Sequence, residues 1–462
     1  MNATSELGTG KIGKLLFSLA VPAIAAQLIN ALYNIVDRMY IGHIPGVGAT
    51  ALTGVGVTFP IIMVIAAFAA LIGMGGAPRA AIKMGEDDYD GAEKILGNCF
   101  ISLIGISVVL TLFFLIFQEK ILLMFGASEN TIEYALDYMG IYVSGTIFVQ
   151  FALGLNSFIT TQGFAKTSMF TVLIGAILNI VLDPIFIFVF DMGVRGAAIA
   201  TIISQAVSSI WVLCFLFGNK TKLKIKRKNF KLDPKVILPV IALGLAPFVM
   251  QSTESLVNIT LNTSLQKFGG DVAVGSMTII SSIMMITFMP LSGLTQGAQP
   301  IIGFNYGARK MDRVKKTFKL LLASSMFFSA LMWLGIMIIP NVFASIFTSN
   351  PELIKETVWA MRVFFCGILV LGAQTACQQT FVAVGQAKVS LLLALLRKVI
   401  LLVPLAIILP YFLTNKVLAV FLAEPIADIG ATSITVITFW IKSKKLFAPP
   451  ALNEACESKR RV

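Results

Sequence analysis

Long apolar runs alternate with short polar connections along this chain, near residues 15–41, 49–76, 95–118, 131–160, 167–190, 194–217, 236–264, 273–300, 317–343, 355–384, 389–413 and 417–441. Each run can cross a bilayer as a helix, for which about 20 residues suffice. In hydrocarbon each backbone N–H and C=O must find its partner inside its own segment, so twelve such runs predict an all-α membrane protein with twelve transmembrane helices. The first run carries an interruption. Gln27, Asn30, Asn34 and Asp37 follow one another at spacings of three, four and three, which places all four on one helical face. A carboxylate inside a span costs about 3 kcal/mol or more. Two readings stand for it. Either Asp37 reaches water past Ile41, Gly42 and His43, or the polar face lines an intramembrane cavity. The extension of that face down to Gln27 favours the second.

The connections predict orientation. Lys and Arg crowd into every second one and into both tails, at Lys11 and Lys14, Arg79 and Lys83, Lys220 to Lys235, Arg309 to Lys319, and Lys442 to Lys445. The alternate connections hold single charges such as Lys120, Arg195, Lys267, Lys355 and Lys416. By the positive-inside rule both termini are cytoplasmic, which requires an even number of spans. The halves also repeat. Gln27, Asn30 and Asn34 return as Gln251, Glu254 and Asn258 at an offset of 224, and Gly163-Phe-Ala-Lys-Thr-Ser168 returns as Gly385-Gln-Ala-Lys-Val-Ser390 at 222. Gly76-Ala77 likewise matches Gly297-Ala298. An offset of six helices keeps equivalent helices in the same orientation, so the repeat is parallel and its pseudo-axis runs along the membrane normal. The expected organisation is an N-terminal lobe over 1–217, a basic cytoplasmic linker over 218–235, a C-terminal lobe over 236–445 and a cytoplasmic tail over 446–462. Two six-helix bundles around a cleft suit a transporter.

Composition agrees. Of 462 residues, 57% are hydrophobic and 13% charged, and the mean hydropathy is +0.88; soluble domains are about a quarter charged. The net charge of +13 follows the membrane topology and does not indicate nucleic acid. The first run is too long and too polar-faced for a cleavable signal peptide. Cys99, Cys214, Cys366, Cys377 and Cys456 are scattered, four of them in apolar runs, and suit packing better than disulfides or metal binding. The basic run from Lys220 to Lys231 serves as a topology signal and linker, and would also attract anionic lipid.

Further polar groups lie inside spans. Asn179 and Asp183 stand four apart on the fifth, just before Pro184, which disturbs the preceding turn. Thr201 lies in the sixth, where a hydroxyl bonded back to its own helix explains it equally well. In the second half Glu254 stands where the first has Asn30, Glu424 and Asp428 share a face around Pro425, and Arg397 and Arg362 suit salt bridges or snorkelling as well as a functional role. There is no G-x-x-x-x-G-K-[ST] loop, only one histidine, and no hydrolase or transferase constellation, so the chain does not read as an enzyme. Gradient-driven transport remains, with Na+ or H+ as coupling ion and no other cofactor. A drug cavity needs apolar walls with a few polar anchors. Its candidates are Met250, Met284, Met285, Phe288 and Met289 with Gln27, Asn30, Asn34, Gln150, Asn156, Gln251, Glu254, Asn258, Gln374 and Gln378. Methionines let one site take many shapes, although such a stripe also serves packing.

Val36-Asp37-Arg38-Met-Tyr-Ile-Gly42, Asn179-x-x-x-Asp183-Pro184 and the twin Gly-x-Ala-Lys turns, in this order on twelve spans, resemble the multidrug and toxic compound extrusion (MATE) family, with a pattern nearest its MepA-type bacterial branch. The resemblance implies a V-shaped pair of six-helix lobes in a bacterial cytoplasmic membrane, acting as a monomer that exports amphipathic, often cationic drugs by antiport with Na+ or H+. It also implies a cation or proton site at Asp37, Asn179, Asp183 and Thr201. The chemistry of the residues agrees: two carboxylates, an amide oxygen and a hydroxyl form a hard-oxygen set for a small cation, and two close carboxylates equally suit a shared proton. Some members add a seventh-helix glutamate, matched by Glu254, and a tenth-helix aspartate. The tenth span here offers Gln374, Gln378 and Gln379 instead, which argues against a second cation site and leaves Glu254 as a counter-charge for substrate. The nearest alternative is a related lipid-linked saccharide flippase, which needs a groove lined with several basic residues.

Overall fold

A computed structural model describes residues 3–347 and 350–447, and contains no strand among them. The spanning helices are α1 (Ile12–Gly42), α2 (Thr50–Gly85), α3 (Tyr89–Met124), the bent α4 (Ile132–Ser144 with Thr146–Thr161), α5 (Ala165–Val189), α6 (Gly193–Phe217), α7 (Pro234–Gly270), α8 (Val272–Gly307), α9 (Met311–Ile338), α10 (Pro351–Ala383), α11 (Ala387–Tyr411) and α12 (Lys416–Lys444). With the 60° bend of α4 counted within one span, the twelve expected crossings are all present. The expected tail over 446–462 and Cys456 lie almost wholly outside the described residues.

Several helices depart from straightness, and the sequence accounts for most of the departures. After Asp183 and Pro184, α5 continues as a wide π-type turn over Ile185–Val189, as expected where proline withdraws an N–H and crowds the preceding carbonyl. A second such segment, Leu396–Leu402, precedes Pro404 in α11. The repeated turns before α5 and α11 are also repeated in conformation. Gly163 and Gly385 have φ of +91° and +78°, the left-handed region in which a Cβ is unfavourable.

Three hydrophobic cores define the architecture. One lies wholly in the first lobe, from Ile41 to Ala198, and one wholly in the second, from Val257 to Ala427. The third joins both lobes, with Leu16, Ile72 and Phe158 of the first packed into one cluster with Val240, Ile301 and Phe381 of the second. The lobes therefore share a core at the end where α1 begins and α2 ends, and keep separate cores toward the other end. Small residues permit the close approach. A Cβ on Gly85 would overlap the carbonyl oxygen of Phe304, and one on Gly307 would overlap that of Ile82. The two contacts are each other's counterpart at the 222-residue offset, so they sit on the pseudo-twofold axis. Farther along, Leu28 and Leu32 of α1, Leu256 and Ile259 of α7, and Met285 of α8 are exposed.

The basic linker is docked on the first lobe. Gln162 Oε1 accepts from Thr221 Oγ1 (2.8 Å), Lys222 N (3.0 Å) and Leu223 N (2.9 Å). Asn98 Oδ1 accepts from Asp233 N at 2.7 Å, Lys94 pairs with Asp233 at 2.6 Å, and Lys226 pairs with the buried Glu93.

Candidate functional site

The first site forms where α1 packs against α5. Asp37 is buried, as are Asn179, Asp183 and Thr201. The spacing of four puts Asn179 one turn from Asp183, and its Nδ2 donates both to Asp183 Oδ1 (3.0 Å) and to Thr201 Oγ1 on α6 (3.3 Å). Asp37 and Asp183 stand close to each other in this cluster. Three oxygens in this cluster, Asp37 Oδ1, Asn179 Oδ1 and Asp183 Oδ2, are buried without a hydrogen-bond partner. Each unsatisfied acceptor costs about 1–3 kcal/mol; a small cation would coordinate all three, and a proton shared by the two carboxyls would satisfy two of them. Such an oxygen-only set suits a hard cation. A cavity of about 50 Å³ adjoins it, lined by Asn30, Tyr33, Thr171, Asn179, Thr201 and Ser204 among others.

A second cavity, about 130 Å³, lies in the other lobe between α7, α8, α10 and α11. Its wall includes Met250, Phe288, Gln374, Gln378, Arg397 and Lys398. Arg397 is buried; its Nε donates to Asp428 Oδ1 at 2.6 Å and its Nη2 to Glu424 Oε1 at 2.9 Å. The guanidinium also stands 5.6 Å from the ring centre of Phe288. Lys398 Nζ pairs with Glu254 and lies 3.4 Å from the carbonyl oxygen of Met250. Of the two snorkelling candidates, then, Arg397 is a buried ion-pair hub, whereas Arg362 is exposed.

The sequence matches the MatE protein family over residues 22–185 and again over 247–408, one match in each lobe. The chain belongs to the MATE family. Relatives of this MATE protein include the multidrug export protein MepA of Staphylococcus haemolyticus (strain JCSC1435), 23% identical over 416 residues, with 90% of this chain and 91% of the relative covered. MepA of Staphylococcus aureus (strain MSSA476) is likewise 23% identical, over 92% of this chain and 93% of its own length. A crystal structure of MATE in the bent conformation matches with a TM-score of 0.91 at 24% identity, covering 96% of this chain and 98% of that one. The protein is thus a membrane transporter of the multidrug-export family and not an enzyme.

Within this MATE fold the expected residues separate into groups. Asp37, Asn179, Asp183 and Thr201 converge, and Asn30 lines the adjoining cavity. Asp37 is buried and not open to water, and Thr201 accepts from Asn179 on the neighbouring helix. Met250, Phe288, Gln374 and Gln378 line the second cavity. Gln150 does not line a cavity wall: it is fully enclosed, and its amide donates to Ile65 O at 2.8 Å, tying α4 to α2. Asn156 ties α4 to α5 through Ser168 O and Thr171 Oγ1. Met284 packs onto the second lobe's core, and Met289 is buried while Met285 is exposed. Gln27, Asn34 and Gln251 are half-buried and Asn258 is exposed, with Asn34 Nδ2 donating to Asn30 O at 2.6 Å. Sequence reasoning missed Lys398 and the tyrosines beside the acid pair. Tyr138 reaches Thr201, its ring stacks on Tyr142 at 6.1 Å, and Tyr33 stands near both aspartates. Their signal was present in the i, i+4 pair Tyr138 and Tyr142, but a tyrosine in a span reads equally as an interfacial anchor.

Proposed function

We propose that this MATE protein is a secondary active exporter that moves amphipathic drugs outward in exchange for Na+ or H+, taken up at Asp37, Asn179, Asp183 and Thr201. The observation that carries the reading is the group of three unpaired buried oxygens on these residues, all of which a cation would satisfy and two of which a proton shared by the aspartates would. Filling the site would reposition α1 against α5, and α1 also enters the seam between the lobes. By reciprocal linkage, drug and cation then weaken each other's binding. The basic connections support a membrane orientation with both ends of the chain in the cytoplasm, which places the shared core on that side. The relatives named for multidrug export support the drug class. The flippase alternative is disfavoured, because the second cavity offers only Arg397 and Lys398 where a diphosphate groove needs several basic residues.

Dye efflux from proteoliposomes, with Na+ and pH gradients imposed separately, tests the reading. One gradient is expected to drive ethidium transport, and Asp37→Asn is expected to reduce it to the level of protein-free vesicles. Full gradient-driven efflux by that variant would refute the assigned role.

A further inference from the structure

The second cavity presents cationic side chains, whereas the lining of the first holds no charged side chain. Its lining includes Arg397 and Lys398, the amides of Gln374, Gln378 and Gln379, and the hydroxyls of Ser292, Thr295 and Thr375, but no carboxylate. The three acids that balance the cations stand outside the wall. Glu424 and Asp428 lie on α12, buried on the guanidinium of Arg397. Glu254 meets Lys398 from α7.

The two ion pairs are unequal. Arg397 and both its partners have buried side chains, 8% exposed against 5% and 5%, and are mutually satisfied. In the other pair the Lys398 side chain is only 12% exposed while that of Glu254 is 57% exposed. Glu254 can therefore leave for water at little desolvation cost, whereas Lys398 cannot be left alone in a largely dry site. A buried ammonium held by a replaceable, solvated carboxylate is set up for exchange: an incoming anion takes Glu254's place and the released Glu254 remains hydrated. Phe288, Leu291, Leu371 and Leu393 supply apolar wall beside it, so the incoming anion should carry an apolar body.

We infer that the second cavity is a subsite for the carboxylate of amphipathic substrates, with Lys398 as its anchor and Glu254 as the resident group that the substrate displaces. This rests on the export reading and sharpens it, since it adds carboxylate-bearing amphipaths to a substrate range expected to be cationic.

The test uses the full chain in lipid nanodiscs, with pyrenebutyrate and its uncharged methyl ester as a matched pair and binding to empty nanodiscs subtracted. The wild type is expected to bind the acid at least about tenfold more tightly than the ester, the scale of one charge-assisted hydrogen bond. Lys398→Gln should lose this preference while retaining ester binding. Glu254→Gln should move the other way and raise affinity for the acid, because the competing carboxylate is gone. A variant damaged only in folding would lose both ligands and could not produce that opposite shift. Equal binding of acid and ester by the wild type, or weaker acid binding by Glu254→Gln, overturns the proposal. So does displacement of pyrenebutyrate by farnesyl diphosphate at a concentration tenfold or more below that of the acid, which would assign the cavity to a lipid diphosphate. Ethidium efflux by wild-type proteoliposomes, measured alongside, separates failure of this subsite from failure of the export reading.

Discussion

Arg397 shows how a single residue governs the second lobe. It sits 222 positions after Gly175, the offset that relates the two Gly-x-Ala-Lys turns, while Asn179 and Asp183 are matched at that offset by Leu401 and Leu405. The second lobe thus lacks counterparts of Asn179 and Asp183 and holds a guanidinium between Glu424 and Asp428 instead. Its acids already have a tethered cation. Breaking a buried ion pair from one side leaves uncompensated charge, so Arg397→Met should destabilise the protein by about 3–5 kcal/mol. Arg397→Met combined with Glu424→Gln and Asp428→Asn should recover much of that loss, because no charge then remains to be satisfied. Thermal unfolding in one detergent checks both, and a triple variant no more stable than the single one would show that the network acts through packing. At this scale legibility followed rarity. Asp37, Asn179, Asp183 and Thr201 stood out because polar groups inside apolar runs are costly. Gln150 stood out for the same reason, but an amide serves a carbonyl on a neighbouring helix as readily as a ligand, and only the fold reveals Ile65 O as its partner. Lys398 was obscured by Arg397 beside it.

The elements were the most legible part of the chain, because in a membrane each helix satisfies its own backbone and its apolar length is printed in the sequence. What could not be read was the bend in α4, since neither cause of it is proline; the chain turns at Gly145 and then widens into a π segment over Phe151–Leu155. The linker was legible in charge but not in attachment. Its basic composition read as a topology signal and linker, and did not reveal that Gln162, Glu93 and Asn98 hold it on the first lobe. Gln162→Ala removes one acceptor that serves three donors, so the amides of Lys222 and Leu223 should exchange hydrogen at least about tenfold faster. Exchange mass spectrometry over 219–233 reads this directly, and unchanged rates would mean that the remaining contacts suffice. Lys94 holds the Asp233 carboxyl below its usual range at the far end of the same segment. A depressed carboxyl contributes above its unfolded value and loses that contribution as pH falls through its folded value, so protection in this segment, corrected for the intrinsic pH dependence of amide exchange, should fall first on the acid side.

For the whole molecule, the decisive asymmetry is that the lobes share a core at one end only. A carrier that binds in the middle must open to each side in turn, and with rigid bundles this is a rocking motion about their contact. The contact here is unusually close, because Gly85 and Gly307 bring each lobe's backbone against the other's at symmetry-related points. In this conformation the carbonyls of Phe304 and Ile82 rest on bare glycine. Replacing Gly307 with valine inserts side-chain atoms where Ile82 O now lies, and the strain is relieved only by parting the lobes at this end. The exposed positions Glu86 and Arg309 follow α2 and α8 on opposite sides of the seam, so spin labels placed there report its width by pulsed electron resonance. Gly307→Val is expected to move the population toward longer distances and to slow gradient-driven efflux by about tenfold or more, since the carrier then rarely closes this gate. Gly85→Val should act in the same direction through Phe304, as the pseudo-symmetry requires. If either valine variant kept the wild-type distance distribution and full transport, the glycine seam would be a packing convenience and the moving contact would have to lie elsewhere in the shared core.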